Sequence, residues 1–183
     1  MARVVIVGAG PAGASLAYLL ARRGIDTTLL ERHSDFEREF RGEVLMPSGQ
    51  DALAQMGLAA EVARLPRTDL RALEFYYRAR RLARVTPAAD LGAVLPIWLP
   101  QPPLLELLVA QAEKTGAFRL ERGATARDLV RENGRVVGVR AQTLAGEREF
   151  RGDLVVGADG RASAVRRRAE IPVQHAWVAI DVV

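Results

Sequence analysis

The feature that most constrains the fold is a glycine motif at residues 8–13, Gly-Ala-Gly-Pro-Ala-Gly. It follows Arg3–Val7, a short β-branched run that predicts a buried strand. It opens the stretch Pro11–Arg23, which predicts a helix because proline fits the first helical turn and Gly24 fits a helix end. The next run, Asp26–Glu31, predicts a second strand. The start of the chain therefore predicts a right-handed β-α-β unit with parallel strands.

Each glycine of the motif has a distinct physical role in such a unit. Gly8 permits the tight turn, Gly10 permits the backbone to approach a pyrophosphate, and Gly13 permits close packing of helix on strand. The helix amino terminus offers N–H groups and partial positive charge to phosphates. Glu31 lies 18 residues beyond Gly13, close to the spacing of about 20 expected for a carboxylate that binds ribose hydroxyls. The alternative is a glycine-rich turn with an unrelated surface glutamate.

A second motif occupies Asp153–Arg166, where a buried strand leads through Gly-Ala-Asp-Gly into a helix. Its acid, Asp159, has two interpretations. It is either part of a ligand site or an ordinary acidic residue at a helix amino terminus, where negative charge is favourable.

Between these motifs the pattern of the chain changes at about residue 68. The runs Leu70–Tyr77 and Leu82–Thr86 predict paired strands joined by a turn near Arg78–Arg81, and Gly92–Leu99 predicts a third strand of the same antiparallel sheet. The stretch Pro102–Thr115 predicts an amphipathic helix, and Asn133-Gly134 predicts a hairpin turn. Further helices are expected at Ser48–Met56, Ala60–Arg64 and Ala162–Ala169, and further strands at Phe118–Glu121, Ala126–Glu132, Arg135–Gln142, Glu147–Phe150 and Asp153–Val156.

Composition excludes several classes of function. The chain has no cysteine and two histidines, which excludes disulfides, thiolate nucleophiles, zinc fingers and multi-histidine metal sites. The net charge of +4 is small and interspersed with acids, so no nucleic-acid partner is expected. Residues 4–21 are uncharged, but the glycine motif inside them argues against an integral membrane segment. We expect a cytoplasmic protein without a metal site.

Taken together and in this order, the two motifs resemble the FAD-dependent aromatic hydroxylases, single-component flavoprotein monooxygenases of the para-hydroxybenzoate hydroxylase type. The resemblance covers essentially the whole chain. It implies an α/β protein: a Rossmann-like FAD-binding fold with a parallel sheet, interrupted by antiparallel strands of a substrate domain. The implied FAD-binding domain is discontinuous, at residues 1–68 and 99–169, and residues 69–98 and 170–183 form part of a substrate-domain sheet.

The resemblance also implies a set of cofactor-binding residues. The glycine motif binds the FAD diphosphate, Glu31 binds the adenosine ribose, and Asp159-Gly160 lies near the diphosphate and contributes to nicotinamide binding. Arg41 corresponds to a loop arginine near the flavin, or else pairs with a neighbouring glutamate. Gln101 corresponds to a residue that hydrogen-bonds FAD, or else caps a helix. The full set is Gly8, Gly10, Pro11, Ala12, Gly13, Glu31, Arg32, Arg41, Gln101, Ala126, Asp159 and Gly160; Ala126 is included for a backbone contact to adenine.

The implied reaction needs no catalytic side chain of the protein. NAD(P)H reduces FAD, O2 forms a flavin C4a-hydroperoxide, and a small aromatic or polyketide-like substrate is hydroxylated, so the cofactor carries the chemistry. Alternatives in the same fold are a flavin-dependent halogenase or a prenyl-lipid reductase. An alternative of another class is a non-catalytic adenine-nucleotide-binding module.

One departure from the family concerns a third motif, Gly-Asp-Ala followed by a helix, that embraces the flavin. It does not occur between Asp159 and Val183. We therefore expect an apparently truncated chain, the amino-terminal part of a longer hydroxylase. Strands without partners would leave open sheet edges, for which we expect self-association.

Overall fold

The computed structural model describes residues 2–37, 43–86 and 94–174. In chain order the elements are β1 Arg3–Val7, α1 Pro11–Ala21, β2 Asp26–Glu31, β3 Val44–Leu45, α2 Pro47–Gln55, α3 Ala59–Val62, β4 Thr68–Asp69, β5 Leu73–Tyr77, β6 Arg80–Val85, β7 Ile97–Trp98, α4 Gln101–Glu113, β8 Phe118–Arg122, β9 Thr125–Glu132, β10 Arg135–Thr143, β11 Gly146–Arg151, β12 Leu154–Gly157 and α5 Ala164–Arg168.

The central element is a four-stranded sheet with the order β12-β1-β2-β8. All three pairings are parallel, which confirms the parallel β-α-β unit and the Rossmann-like class. The chain steps outward from β1 through β2 to β8 and then returns to β12, on the other side of β1. The strand order thus reverses between β1 and β12, and ligands of open α/β sheets bind at the carboxyl ends of strands beside such a reversal.

The two faces of this sheet are covered by different layers. Along β1, Val4 and Ile6 pack with α1 and α4, whereas Val5 and Val7 pack with the strands β9, β10 and β11. This alternation follows from the period of two in a strand. The buried core of the helical side includes Tyr18, Leu29, Leu105 and Leu108, and that of the other side includes Leu30, Leu129, Val139 and Phe150.

The layer opposite the helices is a three-stranded antiparallel meander with the order β11-β10-β9. It lies in the chain between β8 and β12 and so forms the crossover by which the chain returns across the sheet. Asn133 and Gly134 form the β9–β10 turn with φ of 49° and 77°. Two consecutive positive φ values are typical of a type I′ turn, which confirms the hairpin predicted from this dipeptide.

The strands between residues 68 and 98 are antiparallel, as expected, but they form two sheets and not one. The predicted strand Leu70–Tyr77 is divided into β4 and β5, and only β5 pairs with β6. The predicted third strand, Gly92–Leu99, is described only as β7, which pairs with β3 and β4. Assigning it to the same sheet as β5 and β6 was wrong, because β3, a two-residue strand without a recognisable sequence signal, supplies one of its partners.

Two expectations fall outside the described residues: the role of Arg41, and the β-like character of the end of the chain. Among the helices that are described, none is long and apolar enough to cross a membrane.

The helical layer yields a stability prediction. Leu105 is completely buried in α4, whereas Leu144, in the β10–β11 turn, is 95% exposed. Leu105→Ala should lower the free energy of unfolding by about 2–5 kcal/mol, since the cavity is lined by a close-packed core. Leu144→Ala should change it by less than about 0.5 kcal/mol. Urea unfolding followed by circular dichroism measures both, and equal effects would contradict this description of the core.

Candidate functional site

Three strand ends meet at the reversal of strand order. The carboxyl ends of β2, β1 and β12 lead into Glu31, Gly8 and Asp159 respectively. The register aligns these ends, since Val7 pairs with Leu30 on one side and with Gly157 on the other. The sequence motifs, which lie about 150 residues apart in the chain, therefore form one site.

The turn after β1 leaves no room for a side chain at two of its glycines. Gly8 has φ of +98°, and its N–H donates to the carbonyl of Leu30 at 2.8 Å. A Cβ on Gly8 would lie 2.5 Å from the carbonyl oxygen of Ala158, and a Cβ on Gly13 would lie 1.9 Å from the carbonyl oxygen of Gly8. Both separations are below any tolerated contact, so these two glycines are required by the packing of the turn against α1 and against the end of β12.

Gly10 is different from its two neighbours in the motif. Its φ of −70° is open to any residue, and a Cβ on it would meet no atom of the described residues within 4 Å. Neither the backbone nor any neighbour among residues 2–37, 43–86 and 94–174 therefore requires glycine at this position. The space that a side chain would fill lies at the amino terminus of α1, where a ligand phosphate can approach the backbone.

The amino terminus of α1 is suited to an anion. Gly10 is the N-cap residue and no side chain caps the helix. The first described intrahelical bond runs from the Ala14 N–H to the Gly10 carbonyl at 2.9 Å, so the amides of Ala12 and Gly13 precede the helix's own bonding pattern. Pro11 has no N–H to leave unsatisfied and is pre-organised for the first helical position. The helix dipole adds partial positive charge at the same point.

Glu31 is a buried carboxylate that is tied to the glycine turn. It is 3% exposed. One carboxylate oxygen accepts the Ala9 N–H at 2.9 Å, and the other accepts the His33 N–H at 3.1 Å. The structure therefore excludes the alternative of an unrelated surface glutamate.

Asp159 binds the amino terminus of α5 with both carboxylate oxygens. One accepts the Ser163 hydroxyl at 2.5 Å, and the other accepts the N–H groups of Ala164 and Val165 at 2.6 and 3.1 Å. In this structure Asp159 is thus the helix-terminal acid of the second interpretation. The following Gly160 has φ of +84° and open space around its Cβ position, next to the glycine turn.

The other predicted site residues that the structure describes are Arg32, Gln101 and Ala126. Arg32 is exposed and its Nε donates to the His33 ring at 2.9 Å. Gln101 is the first residue of α4 and lies in the helix, not just before it. Ala126 lies on β9, pairs with Ala141 and packs in the meander layer. The cofactor roles of these residues stay predictions.

Residues 69–98, predicted to belong to a substrate-domain sheet, differ in the exposure of their apolar and aromatic side chains. Tyr76 and Tyr77 are 59% and 60% exposed on the β5–β6 hairpin, whereas Ile97 is buried. Tyr76 donates its hydroxyl to Glu74, and this hydrogen bond raises the pKa of Tyr76 and lowers that of Glu74.

Two further residues contribute to the site in roles that the sequence analysis did not assign. Ser163 is the N-cap of α5, and its hydroxyl oxygen accepts the Arg166 N–H at 2.9 Å; a serine just before a helical run is the signal that could have shown this. Ala158 forms the wall against which Gly8 packs. No local signal identifies that alanine, because the contact depends on the order of strands in the sheet.

The parallel sheet, the glycine turn at a helix amino terminus and the acid at the end of β2 define a Rossmann-type dinucleotide-binding domain. The model of the FAD binding domain family matches residues 1–182. The chain therefore belongs to this FAD-binding family.

Individual relatives agree with this assignment. The chain is 36% identical over 170 residues to 6-methylpretetramide 4-monooxygenase of Streptomyces rimosus, a match over 92% of this chain and 41% of that protein. The structure of Pseudomonas aeruginosa PqsL in complex with 2-aminobenzoylacetate is similar with a TM-score of 0.79 and 30% identity, over 97% of this chain and 48% of that one. The complex of aklavinone-11 hydroxylase with FAD and aklavinone has a TM-score of 0.78 and 27% identity, over 92% and 35%. The chain thus spans less than half the length of these relatives.

The glycine turn yields a matched pair of predictions. Gly13→Ala should destabilise the protein without any ligand by several kcal/mol, because its Cβ would overlap the Gly8 carbonyl. Gly10→Ala should change the stability by less than about 1 kcal/mol, since its backbone is unstrained and the space is open. Thermal unfolding of the ligand-free variants measures the difference. Equal destabilisation would contradict the crowding at Gly13 and the open space at Gly10.

The buried carboxylate yields a second prediction. Glu31→Ala leaves the Ala9 N–H without its acceptor and should lower the free energy of unfolding of the ligand-free chain by about 1–3 kcal/mol. Glu37→Ala, an exposed acid after the same strand, is the control and should have little effect. An Ala substitution at Glu31 that leaves stability unchanged would refute a structural role for this carboxylate in the turn.

Proposed function

We propose that the protein is the FAD-binding part of a monooxygenase that hydroxylates a small aromatic or polyketide-like substrate, with NAD(P)H and O2 as co-substrates. The observation that carries the proposal is Gly10, a glycine that no described neighbour requires, at an uncapped helix amino terminus. The absence of a side chain at this position would let the phosphate groups of a ligand approach the main chain closely.

The residues present fit FAD. The amides at the start of α1 would hold the diphosphate, Glu31 would accept hydroxyl groups of the adenosine ribose, and the Asp159-Gly160 turn would border the diphosphate from β12. When bound, FAD supplies the redox chemistry by which electrons of NAD(P)H reduce O2, so that one oxygen atom enters the substrate and the other leaves as water.

The described residues contribute binding and orientation to this reaction. Glu31 fixes the glycine turn through Ala9 before any ligand arrives, so the diphosphate site is pre-organised and less entropy is lost on binding. Asp159 fixes the start of α5 in the same way. Arg32, Arg41, Gln101 and Ala126 are proposed as further contacts to the cofactor, and residues 1–68 with 99–169 as the FAD domain.

The names of relatives support the substrate class. One relative is a 6-methylpretetramide 4-monooxygenase, and one solved structure is a hydroxylase in complex with aklavinone. Residues 69–98 and 170–183 are proposed to belong to a substrate domain. We place the reaction in the cytoplasm, where a chain without cysteine needs no oxidising environment.

The test is the visible absorption spectrum of the purified chain after addition of FAD and removal of the excess. Wild type and the exposed-surface control Ala110→Val should retain flavin bands. Gly10→Val should lose them, with an FAD dissociation constant raised by more than about tenfold, while its thermal unfolding without FAD stays close to that of the ligand-free wild type. Flavin bound equally by Gly10→Val and wild type would contradict the proposal.

A second step of the same experiment separates the enzyme from a simple nucleotide-binding module. Under anaerobic conditions, NADPH or NADH should bleach the bound flavin. Retention of ADP with no retention of FAD would favour the non-catalytic adenine-nucleotide module instead, and bleaching without oxygen transfer to an aromatic substrate would favour a reductase of the same fold.

A further inference from the structure

The chain crosses the proposed boundary between the FAD domain and residues 69–98 on two strands that pair with each other. β4 lies where the chain leaves the FAD domain, and β7 lies where the chain returns to it. The pairing is antiparallel and places Thr68 opposite Trp98. The Leu70 N–H extends it by donating to the Pro96 carbonyl at 2.9 Å. The two crossings are therefore held side by side.

β7 is also joined to β3, and it leads directly into α4. β3 pairs with β7 on the side opposite β4, and the Leu99 N–H donates to the Glu43 carbonyl at 2.8 Å. Ile97 and Leu99 are buried in the core that β7 shares with α1 and α4. Leu99 and Pro100 are the two residues between β7 and Gln101, the predicted FAD contact that begins α4. The position of β7 therefore sets the position of Gln101.

One side-chain amide, that of Gln50 near the start of α2, binds both β3 and the segment that leads into β7. Its Nε2 donates to the Leu95 carbonyl at 2.7 Å and to the Leu45 carbonyl at 3.3 Å. The amide nitrogen carries two hydrogens, so both bonds can form at once. Leu45 belongs to β3, and Leu95 lies just before β7. The half-buried Gln50 side chain thus ties α2 to two segments that are 50 residues apart in the chain.

The other end of α2 is fixed to α1. Met56 follows α2, and its carbonyl accepts the Tyr18 hydroxyl at 3.2 Å and Nη1 of Arg22 at 2.6 Å. Both donors lie on or directly after α1, the helix whose amino terminus is the proposed diphosphate site. α2 therefore connects the helix that carries the diphosphate site with the strands through which the chain reaches residues 69–98.

We propose that Gln50 is a positioning residue for the flavin end of the cofactor site. Its amide fixes β7, and with β7 the start of α4, relative to the diphosphate site on α1. The inference rests on the proposed function, because it takes Gln101 as a contact to FAD. The glycine turn has its own supports in Ala158 and Glu31, so loss of the Gln50 amide releases β7 and leaves the diphosphate end in place.

Amide hydrogen exchange of the ¹⁵N-labelled 183-residue chain tests the positioning without any ligand. The variants are Gln50→Leu and Gln50→Glu, which keeps the shape but turns a carboxylate toward two carbonyls. The matched control is Gln55→Leu, on the same helix, where the exposed amide donates to the Asp51 side chain. The N–H groups of Leu70 and Leu99 should exchange about tenfold faster in both Gln50 variants and at the wild-type rate in the control.

The same spectra report whether the effect is local. The N–H groups of Gly8 and Ala158 bind the Leu30 and Val7 carbonyls in the glycine turn, and their exchange should stay that of the wild type. Unchanged exchange at Leu70 and Leu99 overturns the proposal. Equal acceleration at Gly8 and Ala158 overturns it as well, since Gln50 would then stabilise the whole chain and not the position of β7.

A comparison of FAD with ADP, which lacks the flavin half, tests the link to the cofactor. Gln50→Leu should raise the dissociation constant of FAD about fivefold or more and change that of ADP by less than about twofold. Gln55→Leu should change neither. Equal changes for both ligands, or unchanged FAD affinity, overturn the inference while leaving the proposed function intact. A wild-type chain that retains no FAD contradicts the proposed function itself, and the exchange rates then decide separately whether Gln50 positions β7.

Discussion

The close approach of three backbone segments is the constraint on which the rest of the structure depends. The turn after β1 is pressed between α1 and the end of β12, with the Gly8 carbonyl against Gly13 and the Gly8 α-carbon against Ala158. This packing fixes the position of the α1 amino terminus relative to the ends of β2 and β12. Glu31 then adds a hydrogen bond from the neighbouring strand to the same turn. The free amides at the start of α1 are therefore positioned by the fold itself.

The glycines of one motif serve two separate purposes. Gly8 and Gly13 satisfy packing within the protein, and Gly10 leaves room outside it. This division explains why the motif by itself is a weak indicator of function, since two of its three glycines are required by any close strand–turn–helix packing. The residues that bear on our proposal are the glycine that no described residue approaches and the acid at the end of the next strand.

The sequence predicted the β-α-β unit, the long helix α4 and the Asn133-Gly134 hairpin because each rests on local chemistry: a 3.6-residue period, a proline at a helix start or a turn dipeptide with positive φ. The division of the Leu70–Tyr77 strand and the partners of β7 could not be predicted, because two-residue strands such as β3 carry no periodic signal and are defined by tertiary pairing. The glycine turn and Glu31 were identified from spacing. The engagement of Asp159 with α5 and the wall formed by Ala158 depend on which strands are neighbours, which local sequence does not encode.

The central claim is that the amino terminus of α1 holds the diphosphate of the cofactor. The most direct measurement is a titration of the ¹⁵N-labelled chain with ADP, followed through the backbone amide resonances. The account predicts that the largest shifts occur at Ala9, Gly10, Ala12 and Gly13, with smaller ones after Glu31 and Asp159. Largest shifts on the β5–β6 hairpin, with the glycine turn unaffected, would contradict it.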